Sequence, residues 1–322
     1  MSIPCCSVII ISFNQYKETT GPCLRSLQQD PSNFEIIVVD NASDRQTSQS
    51  LEQAAHEDSR IRLIFSETNR GYAGGNNLGT EAARSDILLL LNSDTQVLAN
   101  TIPLCLALMK ENPDWAMLGP VSNQTGNDQQ IFTRGQSPHE ILAQGKSWCD
   151  HSHNFHYQTD ILSFCCVMIR AKVYRELDGL DEAFGLGFYE DTDFNYRATK
   201  AGLKLMITED AFIYHRGSAS FSKSCRSVKK MMKQNKKLFR KKHGHDILAD
   251  HRRIKNLAAM ERYIDAANSD HDPAGLQYRF RNRLELSSQL IPNSPLKKWP
   301  YFRRLRQLKE RFSTKFGQLN SM

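Results

Sequence analysis

Two short stretches of the chain place carboxylates where neighbouring structure could aim them at a ligand. In the first, an apolar run at 87–91 leads directly into Asn92-Ser93-Asp94. In the second, Glu190-Asp191-Thr192-Asp193 opens a segment of helical character. A carboxylate beside an amide can hold a hard cation against phosphates, and paired carboxylates can provide a general base. The alternative explanations are an ordinary turn for the first stretch and acids at a helix N-terminus for the second.

The elements that must position these residues follow from the apolar patterning. The run at 87–91 suits a strand buried on both faces, as in a parallel sheet. Similar runs end at Ser12-Phe13-Asn14 and at Asp40-Asn41, and strand and helix patterns alternate four times before residue 100. This alternation predicts an α/β fold with a doubly wound parallel sheet, whose strands bring their carboxyl ends to one ligand-binding edge.

Three further predictions concern segments with weaker patterns. The glycine-rich stretch 67–75 is expected to be a loop that precedes a helix from about residue 76 to 84. The polar segment 122–158 has no clear periodicity and is expected to be a long functional or mobile loop. Residues 204–208 and 211–215 are predicted to form two separate strands.

Composition limits the protein class. No apolar run approaches the ~18 residues that a membrane helix needs, and the N-terminus lacks the basic region of a secretory signal. The eight cysteines include two adjacent pairs, Cys5-Cys6 and Cys165-Cys166, and fit neither a zinc spacing nor a small disulfide scaffold. We therefore expect reduced thiols and a cytoplasmic protein.

Charge divides the chain in two. Residues 223–322 contain 25 Lys+Arg and 8 Asp+Glu, a net charge of +17, whereas the rest of the chain has a net charge of −10. We predict a catalytic domain over 1–222 and a basic, mainly helical region over 223–322. A basic region of this kind favours a polyanionic partner, such as an anionic membrane, a nucleic acid or a charged glycan.

The glycine-rich segment NRGYAGGNNLG, residues 69–79, excludes two common nucleotide-binding classes. Its spacing differs from the G-x-G-x-x-G fingerprint of dinucleotide-binding proteins, and no G-x-x-x-x-G-K-[ST] loop occurs in the chain. Its glycines would still let a helix N-terminus approach a bulky ligand.

Six motifs in order resemble those of the family 2 glycosyltransferases of the GT-A fold, in their rhamnosyltransferase-like branch. They fall between about residues 6 and 220: SVIIISFN, EIIVVDNAS, NRGYAGGNNLG, ILLLLNSDT, GLDEAFGLGFYEDTDFNYRATKAGLKL and AFIYHRGSAS. The resemblance implies a doubly wound, mostly parallel GT-A sheet, here followed by a basic helical C-terminal extension.

The resemblance also implies residue roles. Asp94 and His215 would hold Mg²⁺ or Mn²⁺, although Asn92-Ser93-Asp94 replaces the family's D-x-D and leaves one carboxylate. Asp191 would be the catalytic base, with Glu190 as the alternative, while Asp193 would orient or cap. The residues expected to bind the nucleotide-sugar are Ser12, Asn14, Asp40, Asn69, Gly74, Asn76, Asn77, Asn92 and Ser93.

The implied activity is inverting transfer of a sugar from a UDP- or dTDP-linked donor to a glycan or lipid-linked acceptor in surface polysaccharide synthesis. One alternative is a sugar-phosphate nucleotidyltransferase, which would need a Gly-rich, Lys/Arg-containing first loop that Ile11–Gln15 does not provide. A non-enzymatic alternative is a polyanion-binding protein acting through the basic region. No nucleic-acid partner is expected.

The segment 296–316 combines basic residues with aromatic residues near helical spacing. This pattern predicts a segment that is loosely ordered in water and forms an interfacial helix on an anionic membrane, placing the enzyme at the inner face of the membrane. The alternative is that its aromatic residues pack on the catalytic domain as a folded helical subdomain.

Overall fold

A computed structural model describes residues 3–30, 32–151, 154–217, 225–245, 251–268 and 271–317. Within these ranges the strands are β1 (Ser7–Ser12), β2 (Glu35–Asp40), β3 (Ile61–Phe65), β4 (Ile87–Asn92), β5 (Thr95–Val97), β6 (Trp115–Ser122), β7 (His156–Thr159), β8 (Cys166–Arg170) and β9 (Lys204–His215). The helices are α1 (Thr20–Gln28), α2 (Arg45–Glu57), α3 (Gly71–Glu81), α4 (Thr101–Glu111), α5 (Pro138–Asp150), α6 (Ala171–Glu176), α7 (Glu190–Lys200), α8 (Cys225–His243), α9 (His251–Asp265), α10 (Pro273–Gln289) and α11 (Pro295–Phe316).

All the described strands belong to one mixed sheet with the order β3-β2-β1-β4-β8-β6-β9-β5, and β7 pairs with β9 beside this path. The strands β1, β2, β3, β4, β6 and β9 run in one direction, while β5, β7 and β8 run in the other. The prediction of an α/β fold with a mostly parallel sheet is confirmed. Hydrophobic clusters fill both faces of the sheet beneath the helices.

Helix α3 begins at Gly71, so the predicted start near residue 76 was wrong. The glycines lie inside the helix because it packs closely on β1. A Cβ atom at Gly75 would lie 2.9 Å from Ile11 Cγ2, and one at Gly79 would lie 2.6 Å from Ile9 Cγ2. The glycine-rich segment therefore brings a helix against the sheet.

The segment 122–158 was wrongly predicted to be one long loop, since it contains α5 and β7. The start of α5 carries a capping box, in which Ser137 accepts from the Glu140 backbone and Glu140 accepts from the Ser137 backbone. The sequence signal was Ser-x-x-Glu with proline at the first helical position.

The separate strands predicted at 204–208 and 211–215 are one strand, β9, with a register shift against β6 near Pro120.

The C-terminal helices pack on the sheet through a buried ionic cluster. Arg283 of α10 donates to Glu209 of β9 (Nη2–Oε1 2.9 Å) and to the Tyr263 hydroxyl (3.2 Å), which itself donates to Glu209 (2.6 Å). Arg279 lies 3.5 Å from the same carboxylate, and all four side chains are buried.

The boundary predicted at 222/223 lies outside the described residues, and the division into two domains remains a prediction.

Segment 296–316 lies in helix α11 and packs on α9 and α10. Phe312 stacks on Phe280 with ring centroids 4.0 Å apart, Tyr301 donates to the Ser287 carbonyl (2.8 Å), and both Tyr301 and Phe312 are buried. The segment therefore has the packed arrangement that the sequence left as the alternative. None of the described helices has the length and apolar character required to cross a bilayer.

We predict that Arg283→Met lowers the free energy of unfolding by about 3 kcal/mol, because it removes one partner of a buried ion pair. The double variant Glu209→Gln/Arg283→Met should recover part of this loss, since the buried charge is removed as well. Urea denaturation measures both values. Lys309→Met, on the exposed side of α11, is the control and should change stability by less than about 0.5 kcal/mol. The prediction would be contradicted if Arg283→Met and Lys309→Met changed the free energy of unfolding equally.

Candidate active site

A cavity of about 550 Å³ opens at the carboxyl edge of the sheet. The C-terminal ends of β1, β4 and β9 reach this edge, and because β8 is antiparallel to β4, the residues that precede β8 reach it as well. The walls are mainly apolar, with a few polar and charged groups. The residues predicted from the sequence that line it are Asn69, Asn92, Ser93, Asp94, Glu190, Asp191 and His215.

Asp94 and His215 meet because β5 pairs with the end of β9. The register places Thr95 opposite His215, and the backbone N–H of Arg216 donates to the Asp94 carbonyl (3.0 Å). His215 Nε2 then lies 3.3 Å from Asp94 Oδ1, with both side chains largely buried. Burial lowers the pKa of His215, but the Cys165 sulfur and the Asp94 carboxylate outweigh it and raise this pKa to about 11.

The residues around Asp94 fit a divalent cation. His215 Nδ1 donates to the Gln124 carbonyl (2.8 Å), so Nε2 faces Asp94, and this nitrogen would have to release its proton to bind a cation. The amide oxygen of Asn92 is buried without a hydrogen-bond partner and belongs to the same wall. Oxygen ligands suit Mg²⁺ and Mn²⁺. Across the described residues, no group of three His, Cys, Asp or Glu side chains could hold a metal, so substrate oxygens would have to complete the coordination.

Glu190 and Asp191 occupy the first turn of α7 and face the same cavity. Asp191 Oδ1 accepts from the backbone N–H (2.6 Å) and the hydroxyl (3.2 Å) of Thr192, whereas Glu190 Oε2 is buried without a partner. Burial and the adjacent Asp191 carboxylate raise the pKa of Glu190 to about 8. Burial also raises the pKa of Asp191, but its hydrogen bonds with Thr192 oppose this. The hydrogen bonds from Thr192 therefore make Asp191 the more easily ionised member of the pair.

Asp193, the third acid of the motif, points away from this pair. Its carboxylate is fully buried and contacts Arg197 (2.7 Å), Lys242 (2.7 Å) and His243 (2.7 Å). Burial raises the pKa of Asp193, but hydrogen bonds from Lys242 and His243 and the charge of Arg197 dominate and hold it below its ordinary value. Asp193 therefore ties α7 to α8.

Helix α8 also holds the loop that leads into Glu190. The side-chain amide of Asn235 donates to the carbonyls of Phe184 (2.8 Å), Gly187 (2.9 Å) and Phe188 (2.9 Å). The loop ends with two non-glycine residues at positive φ, Phe188 at 70° and Tyr189 at 80°. Such a conformation costs about 1–3 kcal/mol per residue and persists only where its surroundings enforce it.

The sequence analysis did not assign a role to Asn235. The available signal was an otherwise exposed basic helix in which Met231, Asn235, Leu238 and Phe239 recur at helical spacing, which marks a packed face. Phe239 is buried between Tyr189 and Tyr196, and Met232 reaches the cavity wall.

Three residues predicted to bind the donor are absent from the cavity lining. The Ser12 hydroxyl is buried against Thr20 Oγ1 (2.9 Å), and Asn14 accepts from the backbone of Asp44 (2.7 Å). Asp40 is buried and accepts from the Ser43 backbone (3.0 Å) and the Ser48 hydroxyl (2.5 Å). These bonds shape the loops after β1 and β2, and the predicted role in donor binding remains a prediction.

Three more predicted residues lie in α3 outside the cavity lining. Asn76 is buried and donates to the Tyr72 carbonyl (2.9 Å), and Asn77 donates to the Leu180 carbonyl (2.9 Å). Gly74 faces Arg70 and Glu182, which a Cβ atom would approach within 3 Å. In contrast, several residues to which the sequence analysis gave no role line the cavity: Phe13, Asn41, Tyr72 and Phe164.

Gly71 is needed for the cavity wall. It has φ of +69°, and a Cβ atom there would lie 2.2 Å from the Gly185 carbonyl oxygen. The backbone N–H of Tyr72 donates to the Leu186 carbonyl (3.2 Å) at the same place. The start of α3 and the loop before Glu190 therefore touch through their backbones, which requires a residue without a side chain.

Comparisons with known proteins are consistent with this arrangement. A hexosyltransferase of low-salt glycan biosynthesis, Agl10 of Haloferax volcanii, is 25% identical over 62% of this chain and 63% of its own length. The Escherichia coli protein named UDP-Glc:alpha-D-GlcNAc-diphosphoundecaprenol beta-1,3-glucosyltransferase WfgD is 28% identical over 42% of this chain and 52% of its own. An uncharacterized glycosyltransferase of Haemophilus influenzae is 29% identical over 35% of this chain. The match spans 45% of that relative. The chain thus spans about half the length of these relatives.

Among solved structures, the mannosyltransferase PcManGT from Pyrobaculum calidifontis, in complex with GDP-Man and Mn²⁺, has a TM-score of 0.54. The match covers 98% of this chain and 84% of that protein at 14% identity, and shows a shared GT-A fold. The model of the family described as Glycosyl transferase family 2 matches residues 7–178. This match covers more than half of the sequence and includes the residues around Asp94, so the chain belongs to glycosyl transferase family 2.

Proposed function

We propose that this glycosyltransferase moves one sugar, with inversion, from a nucleotide-diphosphate donor to a hydroxyl of a glycan or lipid-linked acceptor. The single observation that carries the proposal is one cavity lined by two different side-chain pairs, an aspartate with a histidine and a glutamate with an aspartate. Asp94 with His215 occupies one part of its wall, and Glu190 with Asp191 occupies another. A binding site for the diphosphate and a base for the acceptor are the two functions that such transfer requires.

In this proposal Asp94, His215 and the amide oxygen of Asn92 hold the divalent cation, Mg²⁺ or Mn²⁺. When bound, the cation would neutralise negative charge on the diphosphate leaving group as a Lewis acid. The complex of a neighbour of the same fold with GDP-Man and Mn²⁺ supports this assignment. Asn69 and Ser93, which line the cavity, would contact the donor. Ser12, Asn14, Asp40, Gly74, Asn76 and Asn77 would keep the loops around it in place.

Asp191 would act as the base. It is the more easily ionised member of the pair because it accepts hydrogen bonds from Thr192, whereas burial and Asp191 favour the protonated form of Glu190. Asp191 takes the proton from the acceptor hydroxyl as its oxygen forms a bond to the anomeric carbon. The bond from that carbon to the diphosphate breaks, and the diphosphate leaves with the electron pair.

The apolar walls would keep water from competing with the acceptor. The rings of Phe13, Tyr72, Phe164 and Phe188 belong to the lining, and Tyr72 is held by its hydroxyl bond to the Phe164 carbonyl (2.7 Å). Aromatic faces also suit the apolar face of a sugar ring. The name of the Escherichia coli relative WfgD supports a sugar acceptor carried on a lipid diphosphate. Glycosyl transferase family membership favours this activity over the nucleotidyltransferase alternative.

We predict that Asp94→Asn removes the thermal stabilisation that nucleotide-sugars give in the presence of Mn²⁺. It should also lower kcat/KM by about 100-fold or more, since charge stabilisation at the leaving group is lost. A panel of UDP-, dTDP- and GDP-linked sugars with Mn²⁺, Mg²⁺ or EDTA measures both effects and selects the donor. Asp86→Asn, an exposed residue just before the amino end of β4, is the matched control. Unchanged metal-dependent binding in Asp94→Asn would refute the assignment.

We predict that Asp191→Asn lowers kcat by about 10²–10⁴-fold, the range for loss of a general base. Glu190→Gln should stay within about tenfold of the native enzyme at pH 7, because Glu190 is already neutral there. The opposite ranking would make Glu190 the base.

The pH profile provides a second test of the same pair. The base must be ionised, so kcat/KM should fall as pH falls through the pKa of Asp191, which burial raises above its ordinary value. Ionisation of Glu190 adds a second negative charge beside the base, so the native profile should bend again near pH 8. Glu190→Gln should keep the acid limb and lose this bend. A profile that retains the bend in Glu190→Gln would assign it to another group.

We predict that Asn235→Ala lowers kcat by about 10- to 100-fold while the donor KM stays within about twofold, because the loop before Asp191 loses the amide that fixes it. Asn235→Asp should behave like Asn235→Ala, since a carboxylate cannot donate to the three carbonyls. The exposed neighbour Gln234→Ala is the control. If kcat is unaffected while stability falls, Asn235 is a structural residue only.

A further inference from the structure

Exposed apolar side chains collect at one end of the C-terminal helices. Among the described residues, nine large hydrophobic side chains are more than a third exposed, and five of them lie between residues 254 and 302. We call these five the apolar tip: Ile254, Ile291, Leu296, Trp299 and Phe302. Leu296 is 89% exposed and Trp299 is 68% exposed, which is unusual for side chains of this size.

Two contacts bring the members of the apolar tip together. Arg253 Nε, near the start of α9, donates to the Leu290 carbonyl just after α10 (2.7 Å). Ile254 is the residue after Arg253 and Ile291 is the residue after Leu290, so this hydrogen bond joins the two parts of the chain that carry these isoleucines. The Tyr301 hydroxyl in α11 donates to the Ser287 carbonyl near the end of α10 (2.8 Å). The start of α9, the end of α10 and the start of α11 therefore meet.

Helix α11 separates a packed face from an exposed apolar face. Tyr301, Leu308 and Phe312 are buried against the other helices. At about 100° per residue, the stripe of Leu296, Trp299 and Phe302 is centred roughly 160° around the helix from that packed face. The apolar tip is therefore a second apolar surface, which packing within the chain does not explain.

The charge around the apolar tip is basic. Between residues 286 and 309 the sequence has no Asp or Glu, and six Lys and Arg lie between 297 and 309. Arg303 lies over the Trp299 ring (5.4 Å to the centroid), so a cation accompanies the most exposed aromatic residue. Arg304 pairs with Glu261, whereas no ion pair with an acid is recorded for Lys298 or Arg303 in the described part of the chain.

We propose that the apolar tip docks on an anionic membrane surface, with Leu296, Trp299 and Phe302 at the acyl boundary and the surrounding lysines and arginines at the lipid phosphates. Trp and Phe among basic residues are suited to this interface. A second copy of the chain is a poorer occupant, because a twofold contact would bring two basic surfaces together. Docking of a folded helix differs from the coil-to-helix transition expected from the sequence, since it needs no gain of helix.

The experiment is flotation of the full chain with vesicles made of equal parts phosphatidylcholine and phosphatidylglycerol, compared with pure phosphatidylcholine. We expect binding only to the anionic vesicles, weakened by salt. The triple variant Leu296→Ser/Trp299→Ser/Phe302→Ser should weaken binding by about tenfold or more. Phe65→Ser, an exposed aromatic at the end of β3, is the matched control and should bind like the native chain.

Tryptophan fluorescence provides an independent measurement. The chain has three tryptophans, and Trp115 and Trp148 are buried, so a blue shift on addition of anionic vesicles reports on Trp299. Circular dichroism should show no gain of helix. The proposal is overturned by absence of flotation at low salt, by native-like flotation of the triple variant, or by a concentration-dependent dimer that the triple variant abolishes. Sugar transfer to a soluble acceptor should be unchanged in the triple variant, which separates this proposal from the catalytic one.

Discussion

The backbone pairing of β9 is the interaction on which the rest of the structure depends. This strand pairs in parallel with β6 and in antiparallel fashion with β5 and β7, so it joins segments from three parts of the chain. Its C-terminal end carries His215, and its middle carries Glu209, the carboxylate that anchors α9 and α10. A shift of one residue in the β5–β9 register would turn His215 away from Asp94, because successive side chains of a strand point to opposite faces.

The three acids at the start of α7 show how environment divides one motif into different roles. All three benefit from the positive end of the helix dipole. The carboxylate of Asp193 contacts Arg197, Lys242 and His243, which stabilise its ionised form. Asp193 therefore has a structural role. Burial raises the pKa of both Glu190 and Asp191, and no neighbouring cation among the described residues acts to lower either pKa. Desolvation without a cation is the condition that makes a carboxylate a better proton acceptor.

The charge asymmetry of the chain is partly resolved within the structure. Arginines and lysines of the C-terminal helices reach acids of the sheet region at Asp128, Asp160, Asp193 and Glu209. The acidic sheet region is therefore itself a polyanionic partner of the basic region. These internal pairs leave much of α8 and the start of α11 basic and exposed. The helical region therefore has two physical roles in this fold, since it stabilises the loop before Asp191 and presents a cationic surface outward.

The sequence by itself determined the parallel strands β1 to β4, the edge of the sheet and the family. The runs 36–39 and 87–91 are apolar throughout because both faces of their strands are covered, and the polar residues that follow them converge by the geometry of a parallel sheet. Only the tertiary structure decided which of those polar residues face the cavity. Asp40 and Asp94 each follow an apolar run, but Asp40 accepts hydrogen bonds from Ser43 and Ser48 whereas Asp94 lines the cavity. The positions of His215 opposite Asp94 and of Asn235 over the loop at 184–188 depend on contacts between residues distant in the chain. Local periodicity carries no information about such contacts, because register and helix docking are set by packing between elements.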